Sequence, residues 1–244
     1  MSAAHAAPSR ASPPPGRFPV AMALTVAGDL RFLAHHDELR AVTRAVIRAR
    51  WPLAYSHGYN PQPRVRIPLP RNLGVAAVAH WVLVDLDVPR APDDLFVGLV
   101  AALPPGLVLE RVVAPAPRGT PHPQIATYEL TLDPATAAPL APRVAALLAA
   151  PQIPIERTGA PGARPRPFDL RPYLDSLDLV GSTLTMRLRF VAQRTARPAE
   201  VLQALGLPVQ DCGHRLRRTA VLWDMELAGP ECGPHTVTKG TEFV

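Results

Sequence analysis

HDELRAVTRAVIRARWPLAYSHGYNPQPRVRIPLP, residues 36–70, changes its periodicity halfway along and so indicates two kinds of secondary structure. Over residues 36–50 apolar side chains recur every three or four positions, which predicts an amphipathic helix that Pro52 ends. Over residues 64–69 apolar and polar residues alternate, which predicts a strand. A turn rich in Gly, Asn and Pro separates the two segments. The stretch therefore predicts a fold that mixes helices with a sheet.

The segments around this stretch repeat the same two patterns. Strands are predicted at 19–26, 80–88 and 107–113, with an extended piece at 30–33 and a second helix at 91–103. The resulting order, β-α-β-β-α-β, is the ferredoxin-like arrangement. A looser repeat follows, with predicted strands at 126–133, 182–191 and 220–227 and predicted helices at 137–150 and 198–205. We therefore expect an α+β protein of two ferredoxin-like halves, each an antiparallel sheet covered by helices.

Composition divides the chain into five segments. We expect a disordered leader at 1–18, rich in Pro, Ala and Ser, and a first half at 19–113. A proline-rich linker at 114–123 precedes the second half at 124–230 and a tail at 231–244. No apolar run approaches the roughly 20 residues that cross a bilayer, and no secretory signal is recognisable. The sequence predicts a cytoplasmic protein without a membrane contact.

Cysteine and histidine spacing predicts neither a cofactor nor a metal site. Cys212 and Cys232 are expected to be structural thiols, and two cysteines are too few to hold an iron–sulfur cluster through thiolates. His35, His36 and Asp37 are adjacent, so on a helix their side chains diverge by about 100°. We therefore expect the chain to work without a bound cofactor or metal of its own.

Positive charge is concentrated in one segment. Residues 31–71 contain eight arginines and two acids, a net charge of +6 that equals the net charge of the whole chain. A local basic patch is typical of proteins that bind nucleic acid or another polyanion. The predicted anion-binding residues are Arg31, Arg40, Arg44, Arg48, Tyr55, Tyr59, Arg64 and Arg66.

Three of these arginines are spaced to follow a phosphate backbone. Arg40, Arg44 and Arg48 are each one helical turn apart, so their guanidinium groups line one edge over about 12 Å. Each phosphate contact would make binding depend on salt. The alternative is an ordinary solvated helix face, with Asp37 pairing with Arg40.

The turn after the helix has residues that fix an irregular backbone. Gly58 permits a positive φ, Asn60 tolerates left-handed geometry and Pro61 fixes the next torsion. Such a turn can direct backbone N–H groups toward an anion, and Tyr55 and Tyr59 offer faces on which bases stack. The alternative is an ordinary helix-to-strand connection in which the tyrosines only pack.

A catalytic interpretation of the same segment is weaker. His35 and His57 are possible general bases and Ser56 is a possible nucleophile. However, Ser56 and His57 are neighbours in sequence and lack both a nucleophile elbow and an assigned orienting acid. The sequence thus favours a binding protein over an enzyme, and an RNA-processing or RNA-modifying enzyme that uses His35 or His57 remains the alternative.

The run RFLAHHDELRAVTRAVIRARWPLAYSHGYNPQPRVRIPLPRNLG, residues 31–74, resembles a known family. This family is the radical-SAM-linked domain of unknown function, which occurs alone or fused C-terminal to radical SAM proteins. Its pattern is an Arg-Phe-x-Ser-His-x-Asp start, an arginine-bearing helix, a Ser-x-Gly-Phe-Asn-Pro turn and a Pro-Leu strand. Residues 168–180 and 194–207 resemble later family segments. The motif positions carried over are His35, Asp37, Ser56, His57, Gly58, Asn60 and Pro61.

The resemblance implies a radical SAM partner, and through it a role in RNA or protein modification. Three positions depart from the family pattern: Ala34 replaces a serine, and Ala77 and His80 replace a polar serine and a glutamate. If those positions belong to a working site, this chain carries an altered one. We expect an accessory protein that binds RNA or an anionic substrate, and a docking module for the radical SAM partner is a further alternative.

Overall fold

The computed structural model describes residues 17–157 and 164–227. The first part of the chain contains β1 (Phe18–Val26), a 3₁₀ helix (Gly28–Phe32), α1 (His35–Arg48), β2 (Val65–Arg66), β3 (Ala76–Leu86), α2 (Pro92–Val100) and β4 (Leu107–Val113). The second part contains β5 (Pro123–Thr131), α3 (Pro134–Ala137), α4 (Ala141–Ala149), β6 (Pro154–Arg157), β7 (Arg166–Asp169), a 3₁₀ helix (Arg171–Tyr173), β8 (Leu174–Val180), β9 (Thr183–Arg189), α5 (Pro198–Ala204), α6 (Val209–Cys212), a 3₁₀ helix (Gly213–Arg215) and β10 (Leu216–Trp223).

One large sheet runs through both parts of the chain. Its eight strands follow the order β4-β1-β3-β10-β5-β9-β8, and β2 pairs with β3 beside this path. All neighbouring strands are antiparallel except β3 and β10, which run parallel and pair over only two residues of each strand. The predicted α+β class is confirmed, and the sheet is large and mostly antiparallel. The two halves share this sheet, whereas a separate sheet was expected in each.

Prolines explain where several predicted elements differ from the observed ones. The strand expected at 64–69 is reduced to the two residues of β2, because Pro68 and Pro70 have no N–H group for a ladder. The helix expected at 137–150 corresponds to α4 and begins only at Ala141, after Pro139, while the short helix α3 precedes it at Pro134–Ala137.

Three further predicted boundaries are wrong in a simpler way. The extended piece expected at 30–33 is part of a 3₁₀ helix, Gly28–Phe32. Helix α1 ends at Arg48 because Arg50 has a left-handed backbone, with φ of 56°. The last strand begins at Leu216 and not at residue 220, since it is Leu216 that starts the pairing with β5.

The first part of the sheet has two distinct faces. Val82 and Val84 of β3 belong to the core beneath α1 and α2, together with residues of β1 and β4. Trp81 and Leu83 alternate with them and belong to a smaller apolar cluster on the opposite face, which also includes Ala116. We call these the helix face and the open face. The distinction decides where the arginines of the basic segment lie.

Several predictions fall outside the described residues. These are almost all of the leader at 1–18, the whole tail at 231–244 and Cys232. The domain boundaries at 19–113, 114–123 and 124–230 stay predictions. Cys212 is a buried free thiol, and its burial raises the pKa of the thiol.

The described ranges contain neither a membrane-spanning helix nor a cluster of metal-binding side chains. No helix within 17–157 or 164–227 is long and apolar enough to span a membrane. In the same ranges no group of three or more His, Cys, Asp or Glu side chains is arranged to hold a metal ion.

Candidate anion-binding surface

Helix α1 separates an apolar face from a basic one, as its periodicity predicts. Val42, Ala45 and Val46 are fully buried in the core of the helix face of the sheet. The opposite side of the helix is exposed and carries three arginines at one-turn spacing, which we call the arginine ladder. The arginine ladder consists of Arg40, Arg44 and Arg48.

Contacts restrain the two ends of the arginine ladder. Arg40 Nη1 lies 3.3 Å from Asp37 Oδ1, but the side chains are 72% and 54% exposed, so this pair contributes little to stability. Arg48 Nη2 donates a 2.6 Å hydrogen bond to the Ala102 carbonyl just beyond α2. The predicted pairing of Asp37 with Arg40 is therefore present, and it leaves the guanidinium of Arg40 open to solvent.

The N-terminus of α1 lacks a side-chain cap. Ala34 is the N-cap residue, with extended backbone torsions, and its carbonyl accepts the N–H groups of Asp37 and Glu38. Its methyl group cannot accept a hydrogen bond from the first turn, whereas a serine hydroxyl at this position does so in many helices. Ala34 therefore leaves the first turn of α1 without a side-chain acceptor.

Replacing Ala34 with serine is expected to raise the free energy of unfolding by about 1 kcal/mol, because the hydroxyl would accept an N–H group of the first turn. Denaturant unfolding followed by circular dichroism measures the change. Ala41→Ser, the same substitution inside α1, is the matched control and should lower stability by a few tenths of a kcal/mol, about 0.5 at most. Equal shifts in both variants would contradict capping as the cause.

The turn after α1 is closed by hydrogen bonds of Ser56. The Ser56 hydroxyl accepts the Gln62 N–H at 2.9 Å, and the Ser56 N–H donates to the Gln62 carbonyl at 2.8 Å. Gly58 has φ of +135°, which side-chain-bearing residues rarely adopt. The role of Ser56 in the geometry is therefore to hold the loop. His57, Tyr59, Asn60 and Pro61 are all exposed at its tip.

The two tyrosines flank this loop differently. Tyr59 is fully exposed, whereas the backbone of Tyr55 pairs with Pro63 and its side chain is half exposed. Neither His57 nor His35 donates a hydrogen bond to a carboxylate among the described residues, and the Nδ1 atom of His35 is buried without a partner. The geometry thus presents aromatic faces and lacks an oriented acid–base pair at these histidines.

Arg64 and Arg66 lie on the other face of the sheet from the arginine ladder. In the pairing of β2 with β3, Arg66 is opposite Leu83, while Val65 is opposite Val84. Because paired residues share a face, Arg66 projects from the open face and Val65 packs beneath α1. Arg64 is two residues before Arg66 and projects from the same face. The basic segment is contiguous in sequence but divided by the sheet in space.

Arg31 links the two parts of the chain. Its Nη1 atom donates to the His214 carbonyl at 3.0 Å, and its guanidinium lies 4.9 Å from the centre of the Phe32 ring. Arg31 is half-buried, in contrast to the exposed arginine ladder. This arginine is therefore held by the fold at the junction and is separated from the loop that contains Tyr59.

Beneath the N-terminus of α1 lies a cluster of buried polar residues that sequence reasoning missed. The buried cluster consists of Glu38, Arg71, His80 and Arg218. Arg71 Nε lies 3.0 Å from Glu38 Oε1, and these side chains are 1% and 3% exposed. His80 Nε2 lies 3.1 Å from the same oxygen, without the alignment of a good hydrogen bond.

Arg218 reaches the buried cluster from β10. Its Nη2 atom lies 2.7 Å from His80 Nδ1, and its Nη1 atom donates to the carbonyls of Leu69 and Pro70 at 3.3 Å each. A guanidinium only donates, so Nδ1 of His80 accepts and its proton lies on Nε2, toward Glu38. Arg218 is also paired in register with Ala77 across the parallel junction. Ala77 and His80 therefore both lie beside Arg218.

Electrostatics set the protonation of the buried cluster. Burial by itself raises the pKa of Glu38, but the contacts with His80 and Arg71 outweigh it and hold that pKa at about 2. Burial lowers the pKa of His80 below its ordinary value, so the ring is neutral at pH 7. Arg71 is then the cation that balances Glu38, and the buried cluster carries one excess positive charge on Arg218.

Comparison with known proteins places the chain in a family. The curated proteins include no match. A family profile described as "Uncharacterized protein conserved in bacteria (DUF2344)" matches residues 20–199 of the 244. The matched range begins in β1 and contains α1, the loop closed by Ser56 and His80. Since the match covers more than half of the chain, the protein belongs to the DUF2344 family of conserved bacterial proteins.

Proposed function

We propose that this protein is a cytoplasmic, non-catalytic accessory protein that binds RNA or a similar anionic substrate through α1 and the adjoining loop. The observation that carries the proposal is the exposed arginine ladder, with three guanidinium groups at one-turn spacing on a helix whose other face is fixed in the core. Such spacing matches a run of phosphates, and arginine forks bind phosphate in two-pronged geometry.

The loop supports the same function. Tyr59 is fully exposed beside a glycine with a left-handed backbone, and Tyr55 is half exposed at the base of the loop. Exposed aromatic rings next to a basic surface are typical of proteins that stack single-stranded bases. The Tyr59 ring is fully exposed, so packing against the protein does not explain its position. Stacking on a ligand would explain it.

Replacing Arg40, Arg44 and Arg48 together with alanine is expected to weaken binding of single-stranded RNA at least tenfold at low salt. The loss of three phosphate contacts should also reduce the slope of log affinity against log salt by up to about 2. Fluorescence anisotropy with a labelled RNA of mixed sequence and free hydroxyl ends measures both quantities.

The matched control removes three exposed arginines elsewhere, Arg90, Arg166 and Arg194. If charge alone determined binding, both triple variants would lose the same affinity, which would contradict a specific surface on α1. The enzymatic alternative would be favoured if the RNA bound by the arginine ladder were cleaved or modified in a reaction that requires His35 or His57.

We further propose that the partner is a radical SAM enzyme, on the basis of the resemblance of residues 31–74 to the radical-SAM-linked domain. Co-purification of the full chain with such an enzyme, before and after nuclease treatment, tests the association. An association that survives nuclease and is lost in the arginine-ladder variant would indicate protein docking by the same surface.

Ferredoxin-like halves are the architecture we propose behind this function. In the first half the strands are ordered β4-β1-β3-β2, and in the second half β10-β5-β9-β8. Strands β6 and β7 form a separate two-stranded sheet. When only the strands of the large sheet are numbered within each half, both orders are 4-1-3-2 with antiparallel neighbours, which supports two copies of one βαββαβ unit with β6 and β7 inserted in the second. An experimental structure in which either half has another order would contradict the duplication.

A further inference from the structure

A cavity of about 370 Å³ lies on the open face of the sheet, away from the arginine ladder. Four arginines line it from three separate parts of the chain. These are Arg17 just before β1, Arg64 and Arg66 of the β2 segment, and Arg118 of the loop between β4 and β5. Gly119 and Thr120 complete the rim beside Arg118.

The charge of this cavity is strongly positive. One acid, Asp85, faces the four arginines, and it lies at the floor with 8% of its surface exposed. Its Oδ1 atom is 3.3 Å from Arg66 Nη2, so it balances one of the four cations. The remaining three positive charges around a concave surface favour a ligand with more than one negative charge.

Arg64, directly before β2, is held in place before any ligand arrives. The Arg64 backbone donates to the Ala54 carbonyl at 2.9 Å and accepts from the Asp85 N–H at 3.0 Å. The side chain of Arg64 donates through Nε to the Tyr55 carbonyl at 3.3 Å. A guanidinium has five N–H donors, so these contacts leave the paired terminal nitrogens of Arg64 to grip an anion.

We propose that this cavity binds the terminal phosphate monoester of a nucleotide, either a free mononucleotide or the phosphorylated end of an RNA. A terminal monoester carries up to two negative charges, whereas each internal phosphate of a chain carries one, so the threefold positive charge favours the terminal group. The volume lies in the range of small-ligand sites and exceeds what a bare phosphate needs. Pro19, Ala116 and Pro117 supply apolar lining for the rest of the nucleotide.

Calorimetric titration with adenosine monophosphate, adenosine and inorganic phosphate tests the proposal on the full chain. Adenosine monophosphate should bind and adenosine should not. The double variant Arg64→Ala with Arg118→Ala should weaken this binding at least tenfold, and the control pair Arg90→Ala with Arg166→Ala should leave it unchanged. Arg118→Glu, a single change at an exposed loop residue, gives the same readout if the double variant fails to fold.

Two RNA arms separate the sources of the phosphate. An RNA with a terminal phosphate should bind more tightly than the same RNA with hydroxyl ends, and the difference should vanish in the Arg64/Arg118 variant. If only the phosphorylated RNA and not the mononucleotide responds, the ligand is an RNA end. No response by either ligand, or equal binding by the Arg64/Arg118 variant, would overturn the proposal.

The outcome is distinct from that of the arginine ladder. Removal of the arginine ladder should leave adenosine monophosphate binding intact, because those arginines lie across the sheet from the cavity. Removal of Arg64 and Arg118 should leave the salt-dependent binding of unphosphorylated RNA intact. Either site can therefore fail its test while the other passes.

Discussion

Glu38→Ala is expected to lower the free energy of unfolding by about 3–5 kcal/mol, because it leaves the Arg71 guanidinium buried without its counter-ion. Glu38 and Arg71 are both almost fully buried, and the same Glu38 oxygen lies close to Nε2 of His80. Arg71 also donates to the carbonyls of Leu30, Arg31 and Val75, so it cannot swing out to solvent without breaking those bonds. Denaturant unfolding monitored by circular dichroism measures the loss.

Asp37→Ala is the matched control, since Asp37 is the neighbouring acid on the same helix turn. Its pair with Arg40 is exposed, so its removal should change stability by no more than about 1 kcal/mol. Replacing Glu38 and Arg71 together with methionine should be less damaging than Glu38→Ala alone, because the buried Arg71 guanidinium is removed along with its counter-ion. A Glu38→Ala loss no larger than that of Asp37→Ala would contradict the buried ion pair.

Acid should weaken the fold through the same residue. The pKa of Glu38 is about 2 in the folded protein against 4.5 for a free side chain, so the folded state holds the ionised form more tightly than the unfolded state does. Its contribution of about 3 kcal/mol is therefore complete above pH 4.5 and lost as the pH falls toward 2. In Glu38→Gln the free energy of unfolding should fall less steeply between pH 4.5 and 2. Denaturant unfolding curves recorded at several pH values measure this slope.

Local periodicity accounts for the part of the fold that the sequence predicted. The strand at 107–113 was predicted with the bounds that β4 has, and β1 begins one residue before the predicted strand. Both strands alternate or run apolar over a whole element, so their own residues determine them. The same is true of α1, whose apolar stripe and exposed arginines follow from helical spacing alone.

Pairing between distant strands was not predictable from such patterns. The sheet is continuous because β10 joins β3, and the two strands meet at Arg217 with Ala76 and at Arg218 with Ala77. Nothing in the local pattern of either strand specifies its neighbour, since an alternating strand pairs equally well with many others. The expectation of two separate sheets was wrong for this reason.

The buried cluster did leave one readable signal. Glu38 precedes Val42 by four positions and Ala45 by seven, so helical geometry puts it on the buried face of α1. Its neighbour Asp37, one position earlier on the helix, lies on the exposed side instead. The positions of Arg64 and Arg66 also follow from the sequence pattern. Alternation along β2 places them on the opposite face of the sheet from the arginine ladder, although they are close to it in sequence.

Arg218→Ala is expected to lower the free energy of unfolding by at least about 3 kcal/mol and to weaken the coupling between the two parts of the chain. Truncation leaves a cavity in the core, and it removes the donor to the carbonyls of Leu69 and Pro70 and to Nδ1 of His80. Arg218→Met should lose less because it fills the space and removes the excess buried charge. Arg217→Ala, the exposed neighbour on β10, should stay within about 0.5 kcal/mol.

Arg218 is expected to affect the coupling between the two parts of the chain because β3 and β10 pair over only two residues each. Arg218 supplies a side-chain bridge at that point. A short parallel pairing has few hydrogen bonds of its own, so the side-chain contacts of the buried cluster add to the cohesion between the two parts of the chain. Hydrogen exchange in Arg218→Ala should therefore accelerate first at Ala76 and Ala77, before the amides of β1 or β9 respond. Exchange that accelerates evenly over the whole sheet would instead mean that the halves unfold as one unit and that Arg218 stabilises both equally.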